Sequence, residues 1–121
     1  MINKLSNEIH LINVRNGFYE DEKNIGEMLA LIHSEVSEAL ECDRKGRDCY
    51  VNVNEVAESK SDENFKSVFK GYIKDTFEDE LADIMIRVMD LAAFKGIDLE
   101  AHIKAKMRYN SLRPYKHGKK Y

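Results

Sequence analysis

No apolar run in the sequence is long enough to cross a bilayer: the longest, Met28 to Ile32, falls far short of the roughly 20 residues a spanning helix needs. The N-terminal residues, Met1 to Glu8, contain no hydrophobic stretch of the signal-peptide kind. Only two cysteines occur, Cys42 and Cys49, and their spacing fits neither a CxxC pair nor a disulfide framework. Two free thiols in a reducing cytoplasm are expected. Tryptophan is absent and Pro114 is the single proline. An excess of positive charge is missing too. Lys+Arg of 19 against Asp+Glu of 22 gives a net charge of −3, which argues against a general nucleic-acid coat protein. No repeat of solenoid period is visible. What remains is a soluble cytoplasmic protein with neither membrane nor nucleic acid as expected partner. Its 121 residues make one domain, long enough to bury roughly two-thirds of the unfolded surface.

What is present is helical periodicity. Apolar residues make up 43% of the chain and recur at helical spacing, which outweighs the disorder that a charged fraction of 34% would otherwise suggest. A first helix is predicted from about Lys4 to Asn16, with Leu5, Ile9 and Ile12 inward, stopping at Gly17. Asn24, with Glu27 in the capping-box position, opens a second that ends at Lys45-Gly46. Thr76 with Asp79 opens a third, ending at Lys95-Gly96, and Asp98 caps a fourth that stops before Pro114. Between Gly46 and Asp75 the pattern fails. A polar stretch from Asn52 to Asn64 is followed by Phe65, Val68, Phe69 and Tyr72, which could form a short amphipathic helix or a flap. The expectation is an all-α bundle of four main helices in a single domain, residues 1–121, with residues 47–74 as a variable insert or flap.

Four carboxylates carry the chemistry. At about 100° per residue, the apolar stripe of the second helix centres near Ile32 and Val36, with Glu35 and Glu38 on one flank. The third helix centres on Leu81, Val88 and Ala92, with Glu80 and Asp83 offset in the same sense. In an antiparallel pair, both flanks meet one groove. Acids so crowded repel one another strongly without a cation. Oxygen donors without cysteine or histidine suit Mg²⁺, with Mn²⁺ able to substitute, and Mg²⁺ favours phosphate-bearing ligands. Glu27, Glu41, Glu78 and Asp90 read as solvated charge, and Arg87 as an ion-pair partner of Asp83 or Asp90.

From Lys104 to Tyr121 the chain holds seven basic residues and no acid, with Tyr109, Tyr115 and Tyr121 interleaved. Lys106, Asn110 and Arg113 share one helix face, where an ammonium, an amide and a guanidinium could hold phosphate oxygens. Phe18 and Tyr19, just after Gly17, are either a hydrophobic plug or a surface on which a base stacks. His10 and His33 read as satisfied helix-flank histidines.

These segments together resemble the MazG-like nucleotide pyrophosphohydrolases. Asn24-Ile25-Gly26-Glu27 through Glu35-Val36-Ser37-Glu38-Ala39-Leu40-Glu41 is similar to their first metal-binding helix, and Phe77-Glu78-Asp79-Glu80-Leu81-Ala82-Asp83-Ile84 to their second. The run from Lys106 and Met107 through Tyr109, Asn110, Arg113, Pro114 and Tyr115 to Lys120 is similar to their C-terminal signature. The resemblance implies hydrolysis of a nucleoside triphosphate between the α and β phosphates, giving a monophosphate and pyrophosphate. It implies Mg²⁺ on Glu35, Glu38, Glu80 and Asp83, phosphate contacts from Lys106, Asn110 and Arg113, and Glu38 holding the attacking water. It also implies a homodimer or homotetramer, which a second apolar face of Ala82, Ile86, Met89 and Ala93 would suit. Ser34 stands where larger members carry a further acid, and residues 47–74 match nothing in the family, leaving base selectivity to that segment.

Rival readings are a pyrophosphatase of dUTP, dCTP or phosphoribosyl-ATP, a nucleotide- and metal-binding helical module without turnover, and a helical protein binding nucleic acid through its tail.

Overall fold

Side-chain caps and glycine stops divide the chain into helices. The computed structural model describes residues 1–120 except the His117 side chain; Tyr121, last of the interleaved tail aromatics, lies outside the described residues. Every regular element described is helical: α1 (Ile2–Arg15), α2 (Ile25–Lys45), α3 (Val53–Ala57), α4 (Asp62–Tyr72), α5 (Phe77–Phe94), α6 (Leu99–Ser111) and a final 3-10 turn, Tyr115–Gly118. The all-α class is therefore shown. No described helix is long and apolar enough to cross a membrane.

Asn24 Oδ1 accepts from the Glu27 amide at 3.1 Å, and this opens α2. Gly46 closes it at φ 65°, a left-handed conformation that a Cβ would disfavour. Asp98 opens α6 by accepting from the Ala101 amide at 3.0 Å. Between residues 47 and 74 the short amphipathic helix over Phe65, Val68, Phe69 and Tyr72 is present as α4, but the polar stretch before it departs from the sequence reading, because its polar residues are caps. Asn52 Oδ1 accepts from the Glu55 amide at 3.3 Å to start α3, and Ser61 Oγ accepts from the Asn64 amide at 3.2 Å to start α4. These two short helices pack on each other.

The chain forms two compact units: Lys23–Val88, and Met1–Glu22 together with the chain from Met89 onward. In the first, the residues after α2 are laced to the start of α5. The Phe77 amide donates to the Arg47 carbonyl at 2.8 Å, and the Cys49 amide to the Glu78 carboxylate at 2.7 Å. The buried Cys42 thiol donates to the Asp75 carbonyl at 3.3 Å. Both cysteines are free. In the second unit α1 packs on α6, and Glu100 accepts from the N-terminal ammonium at 2.7 Å and from the Ile2 amide at 2.6 Å.

The buried helix faces match periodicity only in part: Ala92 is buried as expected and Ile32 and Val88 are half-buried, but other stripe positions are not. Val36 and Leu81, expected at the stripe centres, are 48% and 45% exposed, and Leu5 and Ile12 are exposed as well. What α2 buries is Glu35, Ala39 and Cys42. Along α5, Thr76, Glu80, Asp83, Arg87 and Asp90 follow at spacings of 4, 3, 4 and 3, a polar seam in which Thr76, Glu80 and Asp90 are buried. Periodicity marks a face that favours leaving water; it does not say what covers it. Here the chain's own burial is rotated toward the acids.

Candidate functional site

Glu35 and Glu38 on α2 meet Glu80 on α5. One carboxylate oxygen from each lies within 4.8 Å of the other two. Glu35 and Glu80 are buried, Glu80 to 4% exposure, whereas Glu38 is exposed. Arg87 Nε donates to Glu35 Oε1 at 2.9 Å. The expected partner for Arg87 was Asp83 or Asp90 on its own helix; it reaches instead to the buried acid of the neighbouring helix, where a counter-charge offsets more desolvation. Even so, Glu35 Oε2 and Glu80 Oε2 remain buried and accept from no donor. Leaving such atoms unsatisfied costs about 1–3 kcal/mol each, and more when charged.

The electrostatics follow from that geometry. Burial, then hydrogen bonding to Glu35 and Glu38, pushes Glu80 up to about 8. Burial also acts to raise Glu35, but hydrogen bonds led by that from Arg87 outweigh it and hold the carboxyl below its usual value. Glu38 is raised, chiefly by its hydrogen bond with Glu35 and that group's charge. Three carboxyls can adjoin at this range only by sharing protons or by binding a cation. The donor set is all oxygen, with no histidine or cysteine, so the residues fit a hard divalent ion such as Mg²⁺ or Mn²⁺. Asp83 is not part of the trio. It sits half-buried within reach of the Glu35 charge, and burial followed by the Asp79 charge pushes it up to about 6.

The remaining residues singled out by sequence lie in the other unit. Lys106 and Arg113 flank the Tyr109 ring, 5.2 and 5.7 Å from its centroid. Lys106 and Asn110 also line a hollow of about 660 Å³ along α6. Phe18 is exposed. Tyr19 is not free to swing out: its hydroxyl donates to Asp90 Oδ2 at 2.6 Å, and its ring stacks edge-on to His10, 4.6 Å between centroids. Burial and then the Asp90 hydrogen bond push that hydroxyl up.

Asp90, read from the sequence as solvated charge, is buried to 8% exposure and bridges Tyr19 and His10, whose Nδ1 lies 2.9 Å from Oδ1. No single-helix pattern announces this pairing. The available signal was the continuation of the Glu80–Asp83–Arg87 spacing by one further step to Asp90. No protein-family model, curated protein or solved structure matches the chain.

Proposed function

We propose that this chain is a Mg²⁺-dependent nucleoside triphosphate pyrophosphohydrolase of the MazG-like kind, releasing pyrophosphate from an NTP or dNTP. One observation carries the reading: two buried carboxylates with unsatisfied oxygens beside a third, solvent-exposed one, drawn from two helices. Glu35, Glu38 and Glu80 would hold the ion, with Asp83 at their edge. When bound, Mg²⁺ supplies charge neutralisation for the phosphates. Glu38 is the only one of the trio open to water, and its raised affinity for a proton favours it as the base. Glu38 takes a proton from water as the water oxygen bonds to the α phosphorus. The bond from that phosphorus to the bridging oxygen breaks, and its electron pair leaves with pyrophosphate. The resemblance assigns further phosphate contacts to Lys106, Asn110 and Arg113 of the other unit, where Tyr109 stiffens the two cations.

In this reading α1, α2, α5 and α6 are the four main helices, with α3 and α4 as the insert. The exposed Leu29, Val36, Leu40, Leu81 and Met85 support a homodimer or homotetramer, in which these apolar faces leave water. A cytoplasmic setting agrees with the two free thiols.

The test is pyrophosphate and orthophosphate release from a panel of NTPs and dNTPs, with Mg²⁺ or EDTA, for wild type and Glu38→Gln. Mg²⁺-dependent pyrophosphate with an equal amount of monophosphate, lost in the variant, is the expected result. Orthophosphate would mean that a different bond is cut. Binding without turnover would make the chain a nucleotide-binding module.

A further inference from the structure

A second cavity lies where the α3–α4 segment leaves and rejoins the rest of its unit. It measures about 440 Å³ and draws its walls from both necks of that segment, residues 46–51 and 71–76. Tyr50 and Tyr72 line it with 86% and 63% of their surfaces exposed, so both rings are open to a ligand. Arg47 and Lys74 line it too, and neither makes an ion pair among the described residues. Asp48 and Asp75 balance their charge, so the walls offer donors and acceptors without a net field for an anion.

The cavity is built on fixed backbone. Asp75 adopts φ 62°, a left-handed conformation uncommon for a residue with a side chain. It is held there by donation of its amide to Asp79 Oδ2 at 3.0 Å and by the Cys42 thiol on its carbonyl. The Arg47 carbonyl is pinned by the Phe77 amide. The cavity also adjoins the carboxylates. Thr76 in its wall precedes Glu80 by four residues, about 6 Å of helix rise. The buried Cys42 thiol is raised by burial, and around it the Arg47 charge opposes those of Glu80, Asp75 and Glu38.

We infer that this neck cavity is the nucleobase subsite, taking the base between Tyr50 and Tyr72, with Arg47 and the two aspartates reading its edge. The inference rests on the carboxylates being the phosphate end of the same site. Stacking on tyrosine accepts any base, so selectivity falls to the polar edge groups.

NMR of the full-length protein with adenosine, guanosine, cytidine and uridine in EDTA tests the cavity without any ion. Amide shifts confined to residues 46–51 and 71–76 are expected, with affinity about tenfold weaker in Tyr50→Ala and Tyr72→Ala and kept in the phenylalanine variants. Both rings are exposed, so their truncation leaves the core intact. Gly71→Leu provides a second route, since Gly71 lines the cavity and a Cβ there meets nothing within 4 Å, so the variant adds bulk at the wall without a clash. Inorganic triphosphate with Mg²⁺ should bind all these variants like wild type. Failure of every nucleoside to shift these residues at millimolar concentration overturns the inference, as does equal weakening of triphosphate and nucleotide by the tyrosine variants. If wild type binds no triphosphate with Mg²⁺, the carboxylate reading falls, and the nucleoside arm still decides the cavity.

Discussion

Two buried acids on one helix illustrate opposite uses of the same chemical group. Asp90 has a donor for each oxygen, His10 on one and the Tyr19 hydroxyl on the other. Glu80, ten residues earlier on α5, is more deeply buried and has an oxygen with no donor at all. A satisfied buried carboxylate holds segments together: Asp90 ties α1 and the loop after it to its own helix. An unsatisfied one beside two more carboxyls costs stability in the free protein unless it holds a proton, and above the pH at which that proton leaves only a cation offsets the cost. Burial alone does not separate the two cases. The inventory of donors does.

The contrast predicts effects of different kind and sign. Turnover changes most: Glu38→Gln and Glu80→Gln should each lower pyrophosphate release by about 10³-fold, while Asp90→Asn leaves the carboxylate trio intact and most of the activity in place. The pH dependence comes next. Glu80 keeps its proton up to about pH 8 in the folded protein but only to its ordinary 4.5 when unfolded. Asp83, raised from 3.8 to about 6, acts in the same direction. The ion-free fold is therefore most stable on the acid side and should lose about 1 kcal/mol per pH unit between pH 5 and 8, read by urea unfolding in EDTA. Mg²⁺ should restore most at pH 8, and Glu80→Gln should flatten the slope.

Asp90→Ala should destabilise the fold by about 2 kcal/mol, by leaving His10 and Tyr19 without their acceptor, and Mg²⁺ should not change that loss. Equal Mg²⁺ rescue of the Asp90 and wild-type slopes would agree; rescue of the Asp90 defect itself would erase the distinction. Smallest is Arg87→Gln, which removes a half-exposed guanidinium from Glu35 and should cost about 1 kcal/mol in EDTA at pH 7.

Much of this was legible in the sequence. Asn24, Gly46 and Asp98 mark helix ends through local chemistry, which a sequence states directly. The convergence of Glu35, Glu38 and Glu80 follows from helical angle and an antiparallel pairing, though Asp83 lies outside the trio because the depth at which two helices meet is a tertiary property. Helix α4 was half legible, since Phe65, Val68, Phe69 and Tyr72 marked it as one of two alternatives, but its start and all of α3 were hidden because Asn52 and Ser61 look alike as caps and as loop residues. The buried polar seam of α5 was hidden because hydrophobic periodicity ranks Leu81 above Glu80 for burial, and a site can reverse that order. Arg87 and Asp90 found partners on other helices, at sequence separations of 52 and 80 residues, which no local spacing encodes.

Mn²⁺ binding to the full-length protein, followed by electron paramagnetic resonance at pH 8, tests the central claim most directly. Wild type and Asp90→Asn should both take up Mn²⁺ in competition with Mg²⁺, and Glu80→Gln should not. Uptake by Glu80→Gln at wild-type affinity, or none by wild type, would contradict the assignment of the buried carboxylates to a divalent cation.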